Sequence, residues 1–157
     1  MMKNTGFAIE PYEKRDRAQL RLLELPEKYI KQYTNSPPFH YVLSMLGVST
    51  NYLYLMRQKD SPRVVGTILL RKRLDLLQAG YCWKMHAVYV SPELRGRGLG
   101  AELVDYAVQE LRHRQVLRVS LKVDDDNTPA IRLYKKCGFV EKLRRNRQII
   151  MVKQVAA

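Results

Sequence analysis

Apolar residues recur along the chain with two periods, and each period predicts a different kind of element. From residue 98 to residue 114 they return every three or four positions, which is typical of one face of a helix. Residues 117–123 alternate between apolar and polar, which predicts a strand. Residues 51–57 and 63–70 form two further strands around a Pro-containing turn, and a longer strand covers residues 81–90.

Proline and glycine residues set the boundaries of the remaining predicted elements. Pro11 ends a first strand at residues 7–12, and Pro26 separates a helix at 14–25 from a second helix at 27–33. Residues 35–38 are a loop, and residues 39–48 fit either a short helix or a loop beside a substrate. The C-terminal part of the chain contains a helix at 128–136, with Pro129 in its first turn and Gly138 at its end, followed by strands at 139–143 and 148–154.

This order of elements predicts an α/β (α+β) fold built on a mixed sheet. The strand–helix–strand unit from residue 81 to residue 123 is a crossover, so its two strands should be parallel neighbours. The strands at 51–57 and 63–70 should form an antiparallel hairpin. We expect one domain over residues 1–157, with about six to seven strands and helices on both faces of the sheet.

A glycine-rich loop between the strand at 81–90 and the long helix is the strongest chemical signal. Gly96, Gly98 and Gly100 lack side chains where the backbone must curl around a ligand. The free N–H groups at the start of the helix favour an anion, and Arg95 and Arg97 add positive charge. The pattern therefore predicts a phosphate-bearing ligand, although a helix start with flexible glycines and no ligand is an open alternative.

Two nucleotide-binding motifs can be compared with this loop. A Walker loop needs Gly-Lys-Ser/Thr after its glycines, and the chain has none. Gly96, Gly98 and Ala101 do fit the loose G-x-G-x-x-A form of a Rossmann fingerprint, and the acidic residues 124–126 follow it. Fewer than 60 residues follow the motif, however, which is too few for the two βαβαβ halves of that fold.

The sequence Arg95-Gly-Arg-Gly-Leu-Gly100 resembles the Arg/Gln-x-x-Gly-x-Gly/Ala loop of the GNAT superfamily of N-acetyltransferases. Residues 127–139, Asn-Thr-Pro-Ala-Ile-Arg-Leu-Tyr-Lys-Lys-Cys-Gly-Phe, resemble the family's Asn-x-x-Ala-x-x-x-Tyr…Gly-Phe signature. The resemblance implies a GNAT-like fold, acetyl-CoA as co-substrate and no metal. It implies cofactor contacts at Val88, Tyr89, Val90, Arg95, Gly96, Arg97, Gly98, Leu99, Gly100, Ala101, Asn127 and Tyr134.

The resemblance also implies roles within this set. The backbone of residues 88–90 would bond to pantetheine, and the loop would bind the pyrophosphate. Tyr134 would be the general acid that protonates the departing thiolate. Each position also has a structural interpretation: residues 88–90 fit a core strand, Asn127 or Thr128 fits a helix cap, and Tyr134 fits a packing residue.

The general base is where the chain departs from the family pattern. Many relatives place a glutamate on the strand before the loop or on the strand after the helix, where this chain has Lys84 and Lys122. His86 lies on the same strand face as Lys84, and a histidine of ordinary pKa, near 6.5, suits proton removal through water. It resembles one of two histidines on this strand in the arylalkylamine acetyltransferase branch, but a core histidine is the alternative. We interpret Asp124–Asp126 as a solvated turn.

Net charge adds a prediction about partners. The chain carries 28 Lys and Arg against 15 Asp and Glu, a net charge of +13, with dense clusters at residues 71–73 and 142–147. Such a surface attracts CoA, nucleic acid, ribosomes or an acidic substrate, unless it is only a solvated face. No RNA-recognition, zinc-finger or helix-turn-helix motif supports dedicated nucleic-acid binding. With Lys84 and Lys122, the charge predicts a positive acceptor mouth and an acceptor with an anionic group near its amine, or a protein terminus on a nucleic-acid-associated partner.

Taken together, the residues and the resemblance predict transfer of an acetyl group from acetyl-CoA to a primary amine, by direct attack in a ternary complex. The alternative is a basic CoA-binding or ribosome-associated protein on the same fold that does not turn over. No apolar run reaches the roughly 18 residues of a membrane helix. Cys82 and Cys137 form no spacing pattern, which suggests reduced cysteines and a cytoplasmic protein, monomeric or homodimeric.

Overall fold

The computed structural model describes residues 6–23, 49–75 and 80–155, and all of the strands in this part of the chain belong to one sheet. The seven strands lie in the order β1-β2-β3-β4-β5-β7-β6. The strands are β1 (Phe7–Pro11), β2 (Ser49–Gln58), β3 (Val64–Asp75), β4 (Gly80–Val90), β5 (Arg118–Asp124), β6 (Val140–Arg145) and β7 (Gln148–Gln154). The α-helices are α1 (Arg17–Leu22), α2 (Leu99–His113) and α3 (Thr128–Lys136), with short 3-10 helices at Lys14–Asp16 and Pro92–Leu94.

The sheet is mixed, as the order of elements predicts. β4 and β5 are parallel neighbours connected by α2, and every other neighbouring pair is antiparallel. The connection through α2 places the ends of β4 and β5 at the same edge of the sheet, where the glycine-rich loop and the start of α3 also lie. The predictions of an antiparallel hairpin, a parallel crossover and about six to seven strands are confirmed.

The two faces of the sheet carry separate cores. The larger core lies between the sheet and α2, whose apolar face buries Leu99, Leu103, Val104, Ala107, Val108 and Leu111. A smaller core lies on the other face, where Leu20 and Leu23 from the α1 segment pack against Leu55, Val64 and Tyr89. We call these the α2 side and the α1 side of the sheet.

Two predicted boundaries are wrong for identifiable reasons. The first helix ends at Leu22 rather than at residue 25, because Leu23 turns to an extended conformation (φ −71°, ψ 127°) and packs into the core of the α1 side. β3 continues to Asp75, five residues beyond the predicted end. The basic run at residues 71–73 concealed this strand, because these side chains interrupt the apolar pattern while their backbone still pairs with β4.

The predicted helix at 27–33, the loop at 35–38 and the ambiguous segment at 39–48 lie outside the described residues. In the parts of the chain that are described, no helix has the length and apolar character needed to cross a membrane.

Candidate active site

A gap opens between the two parallel strands at their carboxyl ends. The pairing of β4 with β5 consists of Trp83 with Val119, Lys84 with Ser120 and Met85 with Leu121. β4 then continues to Val90 and β5 continues to Asp124, with no further pairing between them. Among the described strands, the backbone of β4 beyond Met85 therefore has no partner on the β5 side, which leaves polar groups available to a ligand.

A β-bulge at Ala87 helps to shape this gap. Ala87 has φ 49°, in the left-handed region that residues other than glycine seldom occupy. The pairing with β3 skips from Thr67–Tyr89 to Leu69–His86, and the Thr67 hydroxyl donates to the Ala87 carbonyl at 3.3 Å. The bulge reverses the side-chain alternation, so His86 and Tyr89 both lie on the α1 side, although they are three positions apart and a regular strand would place them on opposite faces.

The glycine-rich loop presents a row of open backbone donors at the same edge. Gly96 and Gly98 have φ 77° and 83°, and Gly98 is the N-cap of α2. Among the described residues, no acceptor receives a hydrogen bond from the backbone N–H groups of residues 96–100. A Cβ on Gly96 or Gly98 would meet nothing within 4 Å, so both glycines are there for their conformation and leave the loop open to solvent.

Other residues of the loop act differently from the sequence-based interpretation. Gly100 is already helical, and a Cβ there would come within 3.2 Å of the Leu133 side chain in α3. Its small size therefore allows α2 and α3 to pack closely rather than helping the backbone to curl. The Arg95 Nε donates to the Val90 carbonyl at 3.0 Å, which ties the loop back to β4, while Arg97 is exposed.

The second sequence signature lies on α3, beside the loop. Asn127 is the N-cap of α3, and its Oδ1 accepts from the Ala130 N–H at 3.3 Å. Tyr134 is 9% exposed, belongs to the core of the α2 side and packs edge-to-face on Phe139 at 5.9 Å between ring centroids. Its neighbour Leu133 is the residue that Gly100 faces. The two signatures are thus brought together by the packing of α3 against α2.

His86 lies on the opposite face of the sheet from Tyr134, one residue beyond the last β4–β5 pair. Burial lowers its pKa to about 4, and the positive charges of Arg71, Lys84, Arg73 and Lys122 contribute in the same direction. Its Nε2 is buried and has no hydrogen-bond partner among the described residues. The imidazole is therefore neutral at pH 7, and it is a weaker base than an ordinary histidine.

The acidic turn at residues 124–126 is tied to the β6–β7 hairpin. The Gln148 side-chain amide donates to Asp124 at 3.3 Å, and Arg147 lies 3.5 Å from the Asp126 carboxylate. Asp124 and Asp126 are exposed. Within the described residues no group of three or more His, Cys, Asp or Glu side chains could hold a metal ion.

Sequence reasoning missed two features of the site. The bulge at Ala87 has no signal in the sequence, because alanine is not a residue that favours positive φ. The arginines of β3 that surround His86 were counted only as net charge. An extension of the strand through residues 71–73 would have shown that Arg71 and Arg73 share one face with Lys84 and His86.

The chain belongs to the acetyltransferase (GNAT) family, whose family model matches residues 18–139. An uncharacterized N-acetyltransferase of Methanocaldococcus jannaschii is 36% identical over 72 residues, and this match covers 46% of this chain and 32% of that protein. The chain thus spans about a third of the length of this curated relative. The predicted family is confirmed.

Solved structures confirm the fold. The ribosomal-protein-S18-alanine N-acetyltransferase of Escherichia coli superposes with a TM-score of 0.67 and 21% identity, covering 96% of this chain and 95% of that chain. The PaiA N-acetyltransferase of Thermoplasma acidophilum, in complex with coenzyme A, gives a TM-score of 0.68 at 16% identity, covering 94% and 98%.

Proposed function

We propose that the protein transfers an acetyl group from acetyl-CoA to a primary amine, by direct attack of the amine on the thioester in a ternary complex. The observation that carries the proposal is the open loop beside the gap. Five consecutive N–H groups, from Gly96 to Gly100, have no described acceptor, and they adjoin an unpaired length of β4. This arrangement suits a ligand with a diphosphate at one end and an amide-bearing arm at the other.

On the cofactor side, the backbone of residues 96–101 would bind the pyrophosphate, with the positive end of the α2 dipole and Arg97 adding attraction. The pantetheine arm would bond to the backbone of residues 88–90. Arg95 would position this strand through its bond to the Val90 carbonyl. The Asn127 carbonyl oxygen caps α3, so the amide nitrogen is the part of this side chain that can face the cofactor.

The acid and the base would act from opposite faces of the sheet. Tyr134, on the α2 side, would give its hydroxyl proton to the CoA thiolate as the carbon–sulfur bond breaks. His86, on the α1 side, would take the proton that the attacking amine loses, through water. Its low pKa makes it a weak acceptor, but the four cations around it also disfavour an ammonium ion, so part of the deprotonation is already achieved when the amine binds.

Cofactor binding is tested by a charge introduced at Gly98. Asparagine and aspartate have nearly the same shape, and both tolerate positive φ better than other residues do. Gly98→Asn should weaken acetyl-CoA binding only modestly, whereas Gly98→Asp should weaken it at least about 10-fold further, because a carboxylate would face the phosphates. Calorimetry gives both affinities. Equal affinities for the two variants would place the phosphates elsewhere.

Turnover is tested at Tyr134. Tyr134→Phe keeps the ring packing on Phe139 and removes only the hydroxyl. We expect kcat to fall about 100-fold or more with little change in acetyl-CoA affinity, as is typical when a general acid is lost. The release of CoA measured against an amine panel gives the rate. Full activity in this variant would mean that the thiolate leaves without this proton.

A second candidate function has one observation in its favour. Lys84 and Lys122 occupy the strand positions where the resemblance to the GNAT family predicts a glutamate base. The alternative is therefore a basic CoA-binding or ribosome-associated protein that does not catalyse a reaction. The same amine panel separates the two, since a binder would release no CoA with any amine. We further propose a cytoplasmic protein, monomeric or homodimeric, consistent with the free cysteines Cys82 and Cys137.

A further inference from the structure

Four cationic side chains gather around His86 on the α1 side of the sheet. Arg71 and Arg73 come from β3, Lys84 from β4 and Lys122 from β5. Arg71 is directly opposite Lys84 across the antiparallel pair, and Lys84 is beside Ser120, two residues before Lys122. We call these four residues with His86 the cationic face.

In the described part of the chain, three of the four cations have no ion-pair partner. Like charges directly opposite each other in a sheet are destabilising, as Arg71 and Lys84 are here. Arg73, Lys84 and Lys122 form no ion pair with any described residue. The Arg73 Nε is buried without a described hydrogen-bond partner, and so is the His86 Nε2. The Arg73 Nε is always a donor, and a buried donor left without a partner is costly, so this position points to a ligand that accepts a hydrogen bond from it.

In β3 and β5, the acidic residues whose side chains lie on the α1 side are at the ends of the strands. Asp75 is the last residue of β3, and Asp124, the last residue of β5, accepts from Gln148. A nearby cavity of about 600 Å3 is lined by Arg63, Tyr89 and Glu93 among others. It differs from the cationic face because Arg63 forms an ion pair with Glu93. The charges of Arg73, Lys84 and Lys122, which form no ion pair with a described residue, therefore lie together beside His86.

We propose that Arg73, Lys84 and Lys122 bind a carboxylate of the amine acceptor, and so select acceptors that are both amines and anions. This inference rests on the proposed function, because it requires the amine to enter the gap between β4 and β5. Arg71 adds positive charge while its Nε donates to the Asn51 side chain at 3.0 Å.

The spacing along the strands sets the size of the acceptor. Positions two residues apart on a strand are about 7 Å apart, and Lys84 lies just before the last β4–β5 pair, where the gap begins. A carboxylate bound by Lys84, with Arg73 of β3 and Lys122 of β5 on either side of it, would thus lie roughly 7–10 Å from an amine in the gap. An extended chain of about five or six carbons between amine and carboxylate fits this distance, whereas the short spacing of an α-amino acid does not.

Three acceptors of equal length test the proposal, because they differ only at the far end. 6-Aminohexanoate carries a carboxylate there, hexylamine a methyl group and 1,6-diaminohexane an ammonium. We expect kcat/KM to be about 10- to 100-fold higher for 6-aminohexanoate than for hexylamine, as for one charge-assisted hydrogen bond, and lowest for the diamine. Equal values for the three, or a preference for the diamine, would overturn the proposal.

Variants assign the selectivity to the cationic face. Arg73→Gln and Lys122→Gln should each lower kcat/KM for 6-aminohexanoate about 10-fold further than kcat/KM for hexylamine, because only 6-aminohexanoate carries the carboxylate. Lys122 is exposed, so its replacement carries little risk to folding. Lys142→Gln, on the exposed strand β6, removes the same charge away from this face and should leave the selectivity unchanged. Equal losses for both acceptors in the two test variants would contradict a carboxylate site.

A non-reacting probe separates this inference from the proposed function. Hexanoate has the carboxylate but no amine, so it can bind without being acetylated. We expect it to raise the melting temperature of the wild type and of Lys142→Gln, but not of Arg73→Gln. If no amine is acetylated and this pattern holds, the anion site stands and the proposed function fails. If amines are acetylated and hexanoate has no effect, the anion site is wrong.

Discussion

Arg57 and Arg73 lie on the same face of the same sheet, yet their surroundings are opposite. The guanidinium of Arg57 contacts Glu10, Asp16 at 2.6 Å, Gln19 at 2.6 Å and the carbonyl of Pro62 at 2.5 Å. It therefore connects β1, the α1 segment and the β2–β3 hairpin. Arg73 forms no ion pair with a described residue, and its buried Nε has no described partner.

The comparison distinguishes a charge that stabilises the fold, Arg57, from a charge that can bind a ligand, Arg73. The carboxylates that satisfy Arg57 come from the chain, so the network is complete as soon as the protein folds. The cationic face carries charges that repel each other and add to the effect of burial in lowering the pKa of His86, and three of them, Arg73, Lys84 and Lys122, form no ion pair with a described residue. A bound anion would offset the repulsion between these cations. We therefore place acceptor recognition at the cationic face and not at Arg57.

The largest expected effect comes from breaking the Arg57 network. Arg57→Gln leaves the Asp16 carboxylate, 7% exposed, without its cationic partner, and should lower the free energy of unfolding by about 3–5 kcal/mol. Urea unfolding measures it. Arg63→Gln is the matched control, because its ion pair with Glu93 is exposed and should contribute no more than about 1 kcal/mol. Similar losses in both variants would remove the contrast that we draw.

A change in pH should have an intermediate effect on the free energy of unfolding. The pKa of His86 is about 4 in the folded protein and near 6.5 when unfolded, so between these values the unfolded chain binds more protons. The neutral imidazole contributes its full share of the stability above pH 6.5. As the pH falls towards 4, the free energy of unfolding should decrease by about 1–3 kcal/mol.

His86→Gln should remove this part of the pH dependence, and the exposed His113, replaced in the same way, is the control. Unfolding curves at pH 7 and pH 4.5 give the comparison. Hexanoate bound at the cationic face should raise the pKa of His86 and reduce the loss. An unchanged pH dependence in His86→Gln would show that the pKa of His86 is not lowered in the folded protein.

The smallest expected effect is on stability at Arg73. Arg73→Gln removes one member of a group of like charges, so the free energy of unfolding should change by less than about 1 kcal/mol, with relief of repulsion offsetting lost packing. Calorimetric unfolding at low salt measures this change. A loss as large as that of Arg57→Gln would mean that Arg73 is a structural residue after all.

Local sequence signals predicted the fold with a few specific failures. α3 begins at Thr128 and ends at Lys136 as predicted, because Asn127, Pro129 and Gly138 define its two ends independently of tertiary contacts. β3 was predicted too short because its last five residues are largely basic. Arg71 and Arg73 lie on the α1 side beside Lys84 of β4, so they interrupt the apolar pattern while their backbone still pairs in the sheet.

The sequence by itself determined the family, the glycine-rich loop and the order of elements, since these depend on residue type and spacing along the chain. Only the tertiary structure decided which charges meet. The register of β3 with β4 sets Arg71 against Lys84, and the bulge at Ala87 fixes the face of each residue that follows it. Register depends on strand pairing over long sequence separations and on one residue at positive φ. The cationic face is for this reason a property of the fold, although each of its residues is visible in the sequence.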